Sequence, residues 1–391
     1  MTEADIEAAA ATQVDAFGGV IAEVVARYHD GPRFTWRDAW VFESGGEVGA
    51  VAIAIPARWW FRRQAYQVSA IASVAVRPVD RRRGLASQLM HAILHAERDA
   101  GSPFSLLYPF QHGFYRRLGY GSVGMMNFWR LPTATMVDDP RLRRKVRSLR
   151  PGDQSAVEEI FARGIRESVE GGLERPPAWW QQRWSHDEKW VVFEDTDVRG
   201  YLAYRPVPNG LEVRELIAAS AEAERGLWSF LAAQVEQRAS ISHHSPVGAP
   251  LWATLREPHM FEAPPRGFII TDVAGLTISF MARGVDWRAA LSARPYPPEA
   301  SGRVRVGLAD AVFGPTTLGI EFGGGQGQVQ AADSDWDVQC DAAVFSQLWC
   351  GALSAQQARW YGLLQGSDAA VALLDQAFPP GPPFIHPYDW F

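Results

Sequence analysis

The sequence predicts a multidomain chain in which two mixed α/β domains precede an α+β domain. Its 391 residues exceed the length of an average domain, which is about 150 residues. The order of hairpin, strand, helix and strand that opens the chain recurs in its middle part, which indicates an internal duplication. From near Met281 onward, strands are followed by helices, as in α+β folds. We therefore predict domains at residues 1–140, 141–283 and 284–391.

The first predicted domain begins with a β-hairpin and contains a strand-helix junction. Residues 37–56 predict the hairpin, with its turn at Gly45-Gly46 and its second strand closed by Pro56. The stretch QVSAIASVAVRP alternates in pattern, so we expect a strand that ends at Pro78. Apolar residues at helical spacing follow from Leu85 to Leu94. Three further segments predict a strand, a short helix and a closing strand: PFSLLYPF, GFYRRLGY and SVGMMNFWRL.

The two later segments carry patterns of the same kinds. A Pro-Gly-Asp turn and a helix with apolar Val157, Ile160 and Phe161 open the second α/β segment. The basic run from Arg141 to Arg150 lies just before it, and we interpret this run as a linker. The third segment predicts strands with Gly-rich turns, three helices and a Pro-stiffened tail, PPGPPFIHPYDWF, that docks onto the protein.

Composition argues against several classes of protein. A net charge of −6 argues against a nucleic-acid partner and mildly favours cationic ligands. The start lacks a signal-peptide pattern and no apolar run reaches the about 18 residues of a membrane span, so we expect a cytoplasmic protein without a membrane partner. Cys340 and Cys350 predict buried apolar positions, neither a disulfide framework nor a zinc site. His91 and His95 lack the glutamate of a metalloprotease helix, and we expect no metal.

One stretch, VRPVDRRRGLASQLMHAIL at residues 76–94, joins a strand end to a helix start through three consecutive arginines. Backbone N–H groups that converge at a helix N-terminus bind anions, and Gly84 lets a ligand approach closely. Positive charge at this position opposes the helix dipole, so stability alone would favour acidic residues instead. The arginines therefore predict a phosphate-bearing ligand. The loop matches neither G-x-G-x-x-G nor G-x-x-x-x-G-K-[ST].

The pattern Arg81-x-x-Gly84-x-Ala86 between a strand and a helix resembles the pyrophosphate-binding motif of the GNAT acetyltransferases. This resemblance implies acetyl-CoA as the co-substrate. It also implies that the preceding strand end offers backbone groups to the pantetheine arm, and that the next strand splays away near Phe110 and Gln111. The residues implied to bind acetyl-CoA are Val74, Ala75, Val76, Arg81, Arg82, Arg83, Gly84, Leu85, Ala86, Ser87, Phe110 and Gln111.

The stretch FYRRLGYG, just past the strand SLLYPF, resembles the Eis (enhanced intracellular survival) acetyltransferase family. The resemblance implies two tandem GNAT folds, the second degenerate, and a C-terminal sterol-carrier-protein-like α+β domain. It further implies that Tyr115 protonates the departing CoA thiolate and that the terminal carboxylate of Phe391 receives the proton of the substrate amine. Without the resemblance, Tyr115 is typical of a packing tyrosine, and we expect Tyr120 to be structural. Burial beneath aromatic residues, with Asp389 and other acids nearby, would have to raise the pKa of the Phe391 carboxylate or share the proton through water.

The second α/β segment has AASAEAERGLWSFL where the first has its arginines. Glu222 and Glu224 would repel phosphates there, so we expect a single CoA site. The family implies a cationic multi-amine acceptor such as an aminoglycoside, and a hexameric assembly. The alternatives are a protein or peptide lysine as acceptor, and a non-catalytic acyl-CoA-binding module. Trp59-Trp60 predicts an acceptor pocket or a packing role equally well.

Overall fold

The structure is a computed structural model that describes residues 1–263, 270–332 and 335–391. Internal contacts divide the chain into two units. The first unit combines Met1–Gly124 with Ser279–Pro382 and Phe391, and the second combines Met125–Ile278 with Pro383–Trp390. The segment that the sequence predicts as a third domain thus shares a unit with the N-terminal domain.

The N-terminal part of the first unit is a mixed α/β segment. Its elements are α1 (Ile6–Phe17), α2 (Ile21–Asp30), β1 (Ala39–Ser44), β2 (Glu47–Phe61), β3 (Gln64–Val76), α3 (Leu85–Asp99), β4 (Phe104–Leu107), α4 (His112–Arg117) and β5 (Gly121–Ser122). Strands β1 and β2 form the predicted antiparallel hairpin around the Gly45-Gly46 turn. The prediction that Pro56 ends the second strand is wrong, because β2 continues through Pro56, paired with β3, to Phe61.

The second unit contains its own sheet and helices. Its elements are β6 (Met125–Pro132), α5 (Pro140–Arg143), β7 (Val146–Ser148), α6 (Gln154–Glu167), β8 (Gly172–Leu173), α7 (Pro177–Trp184), β9 (Lys189–Glu194), β10 (Val198–Val207), β11 (Gly210–Ala218), α8 (Ala221–Ala232), β12 (Ser240–Pro246) and β13 (Gly275–Ile278). The sheet runs in the order β13-β6-β12-β11-β10-β9-β7. Apolar residues of α8, including Leu227 and Leu231, are buried against this sheet.

Two predictions for the junction between the α/β segments are wrong. The closing strand SVGMMNFWRL is split, because Val123 and Gly124 both donate backbone hydrogen bonds to Phe280, while β6 pairs with β12 and β13 of the second unit. The predicted linker from Arg141 to Arg150 contains α5 and β7 instead. Its Arg147 forms ion pairs of 2.6 Å with both Asp153 and Glu194.

The C-terminal part returns to the first unit. Its elements are β14 (Met281–Gly284), α9 (Trp287–Ser292), β15 (Gly302–Ala309), β16 (Thr316–Gly323), β17 (Gln326–Ala331), β18 (Val338–Asp341), α10 (Ala342–Trp349), α11 (Ala355–Trp360), β19 (Leu364–Gly366) and α12 (Asp368–Ala377). Strand β14 inserts between β4 and β5, so the first sheet runs β1-β2-β3-β4-β14-β5. The later strands form a separate sheet in the order β17-β16-β15-β18-β19.

Apolar packing joins the N-terminal and C-terminal parts of the first unit. Trp349 of α10 lies against Phe104 of β4 with ring centroids 4.3 Å apart, and Trp59 of β2 packs beside both rings. Cys340 and Cys350 are buried free cysteines, as predicted. Among the residues that the structure describes, no helix is long and apolar enough to cross a membrane.

Candidate functional site

The arginine loop is organised by one buried carboxylate. Asp80, which is 2% exposed, ends the short 3-10 turn Pro78–Asp80 and forms ion pairs with Arg77 at 2.6 Å and with Arg83 at 3.1 Å. Arg83 is therefore held beside Asp80, although the resemblance implies a ligand contact for it. Sequence reasoning did not identify Asp80, whose only signal is its position between Arg77 and the arginine run.

The backbone N–H groups at the N-terminus of α3 have no hydrogen-bond acceptor among the described residues. Gly84 is the N-cap with φ +81°, a conformation that favours glycine, and it offers no side-chain cap. The first turn contains no acidic residue. Within the described part of the chain, the N–H groups of Leu85, Ala86 and Ser87 have no hydrogen-bond acceptor. These N–H groups, together with the positive end of the helix dipole, make the site suited to an anion.

A cleft of about 420 Å³ opens at this helix N-terminus. Arg81 and Arg82 line it, and neither forms an ion pair with any residue that the structure describes. The residues that line it are Val76, Asp80, Arg81, Arg82, Gly84, Leu85, Ala86, Ser87, Phe110, Gln111, Phe114, Arg117 and Leu118. The structure thus brings nine of the residues implied by the resemblance into one cleft, whereas Val74, Ala75 and Arg83 are not part of its lining.

Strand β3 has an unpaired edge close to this cleft. Its parallel pairing with β4 covers only Val68–Ile71, while β3 itself continues to Val76. No other strand of the described chain pairs with that edge of β3 beyond Ile71. The pairing with β2 shifts register here, and Ser73 has φ +53°. Sequence reasoning missed this bulge, because strand alternation does not mark a residue with positive φ.

Tyr115 lies on α4 in an aromatic environment. It is 2% exposed, and its ring contacts Phe110 at 5.6 Å and Phe114 at 4.9 Å, both of which line the cleft. Burial, and secondarily the neighbouring Tyr120, raises the pKa of Tyr115 above its ordinary value. The phenol therefore keeps its proton at neutral pH. No residue of the described chain forms a hydrogen bond with the Tyr115 hydroxyl.

Tyr120 differs from Tyr115 in the state of its hydroxyl group. Tyr120 is fully buried, and its hydroxyl lies 2.7 Å from the hydroxyl of Ser105 on β4. A hydroxyl that is satisfied in the core is less available for chemistry than one without an internal partner. This geometry supports the expectation that Tyr120 is structural.

The terminal residue lies at the end of β4. The ring of Phe391 contacts Tyr108 with centroids 5.0 Å apart, and Tyr108 is two residues before Phe110, which contacts Tyr115. The two residues implied to be catalytic therefore lie around the same short segment that follows β4.

The tail that precedes Phe391 is docked, as predicted. In the second unit, Asp389 is 1% exposed and receives two hydrogen bonds from Arg175, at 2.6 and 2.9 Å. Arg175 also donates two hydrogen bonds to Glu215. Burial alone would lower the pKa of Arg175, but the charges of Asp389 and Glu215 outweigh it and hold that pKa well above its usual value. The Asp389 carboxylate is thus bound by Arg175, and its influence on the carboxylate of Phe391 stays a prediction.

The corresponding helix of the second unit is closed to anions. The side chain of Ser220 caps α8 by accepting a hydrogen bond from the Ala223 N–H group, and Glu222 and Glu224 occupy its first turn. A side chain at Gly226 would overlap the ring of Phe193. Acidic residues and a satisfied cap are what a helix N-terminus needs for stability alone, and they do not favour phosphate binding.

Two further candidates make packing contacts, Trp59 in the core and His95 on the exposed side of α3. Trp59 is fully buried, with its ring stacked on Phe61 at 5.1 Å, so it takes the packing role rather than lining an acceptor pocket. His95 packs edge-on against Phe313 at 5.1 Å. Among the described residues, no three His, Cys, Asp or Glu side chains cluster as metal ligands.

Three family models match successive parts of the chain. An acetyltransferase (GNAT) domain matches residues 1–123, a second acetyltransferase (GNAT) domain matches residues 171–278, and a sterol carrier protein domain matches residues 287–386. Two solved structures share the fold over 100% of this chain. They are a GCN5-related N-acetyltransferase from Anabaena variabilis (TM-score 0.84, 21% identity, 98% of that chain) and Eis1 from Mycobacterium abscessus (TM-score 0.77, 20% identity, 98% of that chain).

Proteins with similar sequences are also named N-acetyltransferases. An uncharacterized N-acetyltransferase of Streptomyces griseus is 31% identical over 195 residues, which are 41% of this chain and 45% of that protein. The chain thus spans less than half the length of this relative. The N-acetyltransferase Eis of Mycobacterium tuberculosis is 26% identical over 335 residues, which are 78% of this chain and 76% of that protein. The chain therefore contains two acetyltransferase (GNAT) domains followed by a sterol carrier protein domain, and it is similar to the N-acetyltransferase Eis over most of its length.

Proposed function

We propose that the protein is an acetyl-CoA-dependent N-acetyltransferase that transfers an acetyl group directly to a primary amine. The observation that carries this proposal is the cleft at the N-terminus of α3. This cleft unites Arg81, Arg82 and free helix N–H groups, and its residue Phe110 contacts the buried Tyr115. A strand edge with unused backbone groups lies close to it.

The residues around the cleft fit the parts of acetyl-CoA. The N–H groups of Leu85–Ser87 and the guanidinium groups of Arg81 and Arg82 would hold the pyrophosphate, because both kinds of donor are suited to phosphate oxygens. The unpaired edge of β3 at Val74–Val76 would bind the amide groups of the pantetheine arm. Acetyl-CoA supplies the thioester as the acetyl donor.

Two residues would move protons during transfer. The amine nitrogen forms a bond to the thioester carbonyl carbon, and the bond between that carbon and sulfur breaks. Tyr115, which burial keeps protonated, donates its proton to the departing sulfur. The α-carboxylate of Phe391 accepts the proton that the amine nitrogen loses. The contacts of the Phe391 ring with Tyr108 and of the Tyr115 ring with Phe110 support this pair of roles. The Phe391 carboxyl group then releases its proton to solvent and the Tyr115 phenolate takes one up from solvent, which completes the cycle.

The acceptor class that we propose is a cationic small molecule with several amines, such as an aminoglycoside. The net charge of −6 supports it, since an acidic protein attracts polyamines over long distances. The alternative acceptor is the lysine side chain of a protein or peptide. CoA-thiol release from acetyl-CoA, measured against aminoglycosides, linear polyamines and a lysine peptide, distinguishes the two. Release with none of them, together with tight CoA binding, would favour a non-catalytic acyl-CoA-binding module.

Removing the two arginine charges that face the cleft should weaken CoA binding. For the double variant Arg81→Gln, Arg82→Gln, we expect the Kd for acetyl-CoA to rise about 10²- to 10⁴-fold, because charge-assisted hydrogen bonds contribute about 1.5–3 kcal/mol each and every 1.4 kcal/mol is a factor of ten. Calorimetric titration measures this change. Acetyl-pantetheine, which lacks the pyrophosphate, should bind the variant and the wild type equally.

Arg83→Gln is the matched control, since it removes the same charge one residue further on. Its guanidinium pairs with Asp80, and its side chain is 64% exposed. We expect its effect on the Kd to be much smaller than that of the double variant. An equal loss of affinity in the control would mean that the loop binds CoA only through its overall charge.

A further inference from the structure

We propose that Arg283 and Asp310 are positioning residues for Tyr115, so that the sterol-carrier-like part of the chain sets the geometry of the proton donor. This inference rests on the proposed function and adds to it two residues outside the N-terminal acetyltransferase domain. Arg283 lies on β14, and Asp310 directly follows β15.

Arg283 connects the end of α4 to an acidic partner. Its side chain is completely buried, and it donates a hydrogen bond to the backbone carbonyl of Leu118. The same guanidinium donates to both carboxylate oxygens of Asp310, each at 2.8 Å. Because a buried arginine without a carboxylate is strongly unfavourable, Asp310 is what allows Arg283 to remain at this position.

The turn that Arg283 holds begins at Tyr115 itself. The carbonyl of Tyr115 accepts hydrogen bonds from the N–H groups of Leu118 at 2.9 Å and of Tyr120 at 3.2 Å. Gly119 has φ +84°, and a side chain there would overlap Nη1 of Arg283. Glycine is therefore needed at position 119, both for the positive φ of the turn and for the space that the Arg283 guanidinium occupies. A displacement of Arg283 would move Leu118, and with it the backbone that carries the phenol.

The segment that begins at Asp310 also contacts the helix of the arginine loop. Asp310 accepts hydrogen bonds from the N–H groups of Val312 at 2.8 Å and Phe313 at 3.1 Å, which hold the backbone that carries the Phe313 ring. The guanidinium groups of Arg283 and Arg98 each lie 4.7 Å from that ring, and His95 packs on it as well. His95 and Arg98 belong to α3, so this short segment contacts the helix that starts at the CoA cleft and reaches the end of α4 through Arg283.

Asp310→Asn tests this role, because it removes the charge and keeps the size of the side chain. We expect kcat for acetyl transfer to fall about 10- to 100-fold, as a misplacement of about 1 Å can produce. The Kd for acetyl-CoA should remain near the wild-type value. The matched control is Asp341→Asn, since Asp341 pairs with Arg116 of the same helix α4 at 2.8 Å but is 45% exposed. We expect the control to retain wild-type kcat.

A double-mutant cycle separates positioning from a general loss of structure. In a Tyr115→Phe background the phenol is already absent, so Asp310→Asn should lower kcat little further. Equal losses in both backgrounds, or an unchanged kcat in Asp310→Asn, would overturn the inference. If Asp310→Asn does not fold, Asp310→Glu keeps the charge and displaces the carboxylate, and the same cycle applies to it. An inactive wild type would instead contradict the proposed function.

Discussion

Tyr115→Phe is expected to lower kcat for acetyl transfer by about 10²- to 10⁴-fold, the usual contribution of a general acid. The substitution removes only the hydroxyl of a side chain that is 2% exposed, so the packing of its ring against Phe110 and Phe114 should be kept. Acetyl-CoA should still bind, because the arginines and helix N–H groups of the cleft are unchanged. Steady-state rates and a calorimetric Kd, measured on the same preparation, test both statements.

Tyr120→Phe is the matched control for this prediction. It removes a hydroxyl from an equally buried tyrosine, and the lost bond to Ser105 should cost about 1 kcal/mol of the free energy of unfolding. We expect its kcat to stay near that of the wild type. If Tyr120→Phe abolishes turnover and Tyr115→Phe does not, the roles of the two tyrosines are the reverse of those proposed.

Asp389→Asn is expected to destabilise the second unit by about 3 kcal/mol, because breaking a buried ion pair leaves a charge without its partner. The Arg175 guanidinium, which is 1% exposed, would keep only Glu215 of its two carboxylates. Urea unfolding of the wild type and the variant measures this change in the free energy of unfolding.

Asp138→Asn provides the comparison for the ion pair. Asp138 also pairs with an arginine of the second unit, Arg143 at 3.1 Å, but the two side chains are 31% and 41% exposed. Exposed pairs contribute only about 0–1 kcal/mol, so the free energy of unfolding should change little. Equal destabilisation by the two variants would show that the Arg175–Asp389 pair does not anchor the tail.

Local sequence signals were sufficient to predict the strand, the arginine loop and the helix that follows it. A strand end, a run of charge opposed to the helix dipole and a glycine at the helix start lie within a few residues, and each has a local physical reason. The same holds for the capped helix α8, where Glu222 and Glu224 already indicated a stable N-terminus without a ligand. Features of this kind can be predicted from the sequence, because they depend on residues that are neighbours along the chain.

Features that depend on distant residues could not be predicted from the sequence. Strand β14 inserts beside β4 although about 170 residues separate them, and nothing in the four residues Met281–Gly284 names that partner. Arg81, Arg82 and Arg83 are adjacent and chemically identical. Arg83 nevertheless pairs with Asp80, whereas Arg81 and Arg82 line the cleft. From its position near the end of the sequence, Asp389 suggests a proton relay. Its ion-pair partner Arg175 lies 214 positions earlier in the chain, so only the folded structure reveals that contact.

The most direct test of the account is the mass of the acceptor amine after incubation with acetyl-CoA and enzyme, with wild type and Tyr115→Phe side by side. Each protein should show the same Kd for acetyl-CoA. We expect an amine that gains one acetyl group with the wild type, and almost no product with the variant. Release of CoA thiol without an acetylated amine, or equal product from the two proteins, would contradict it.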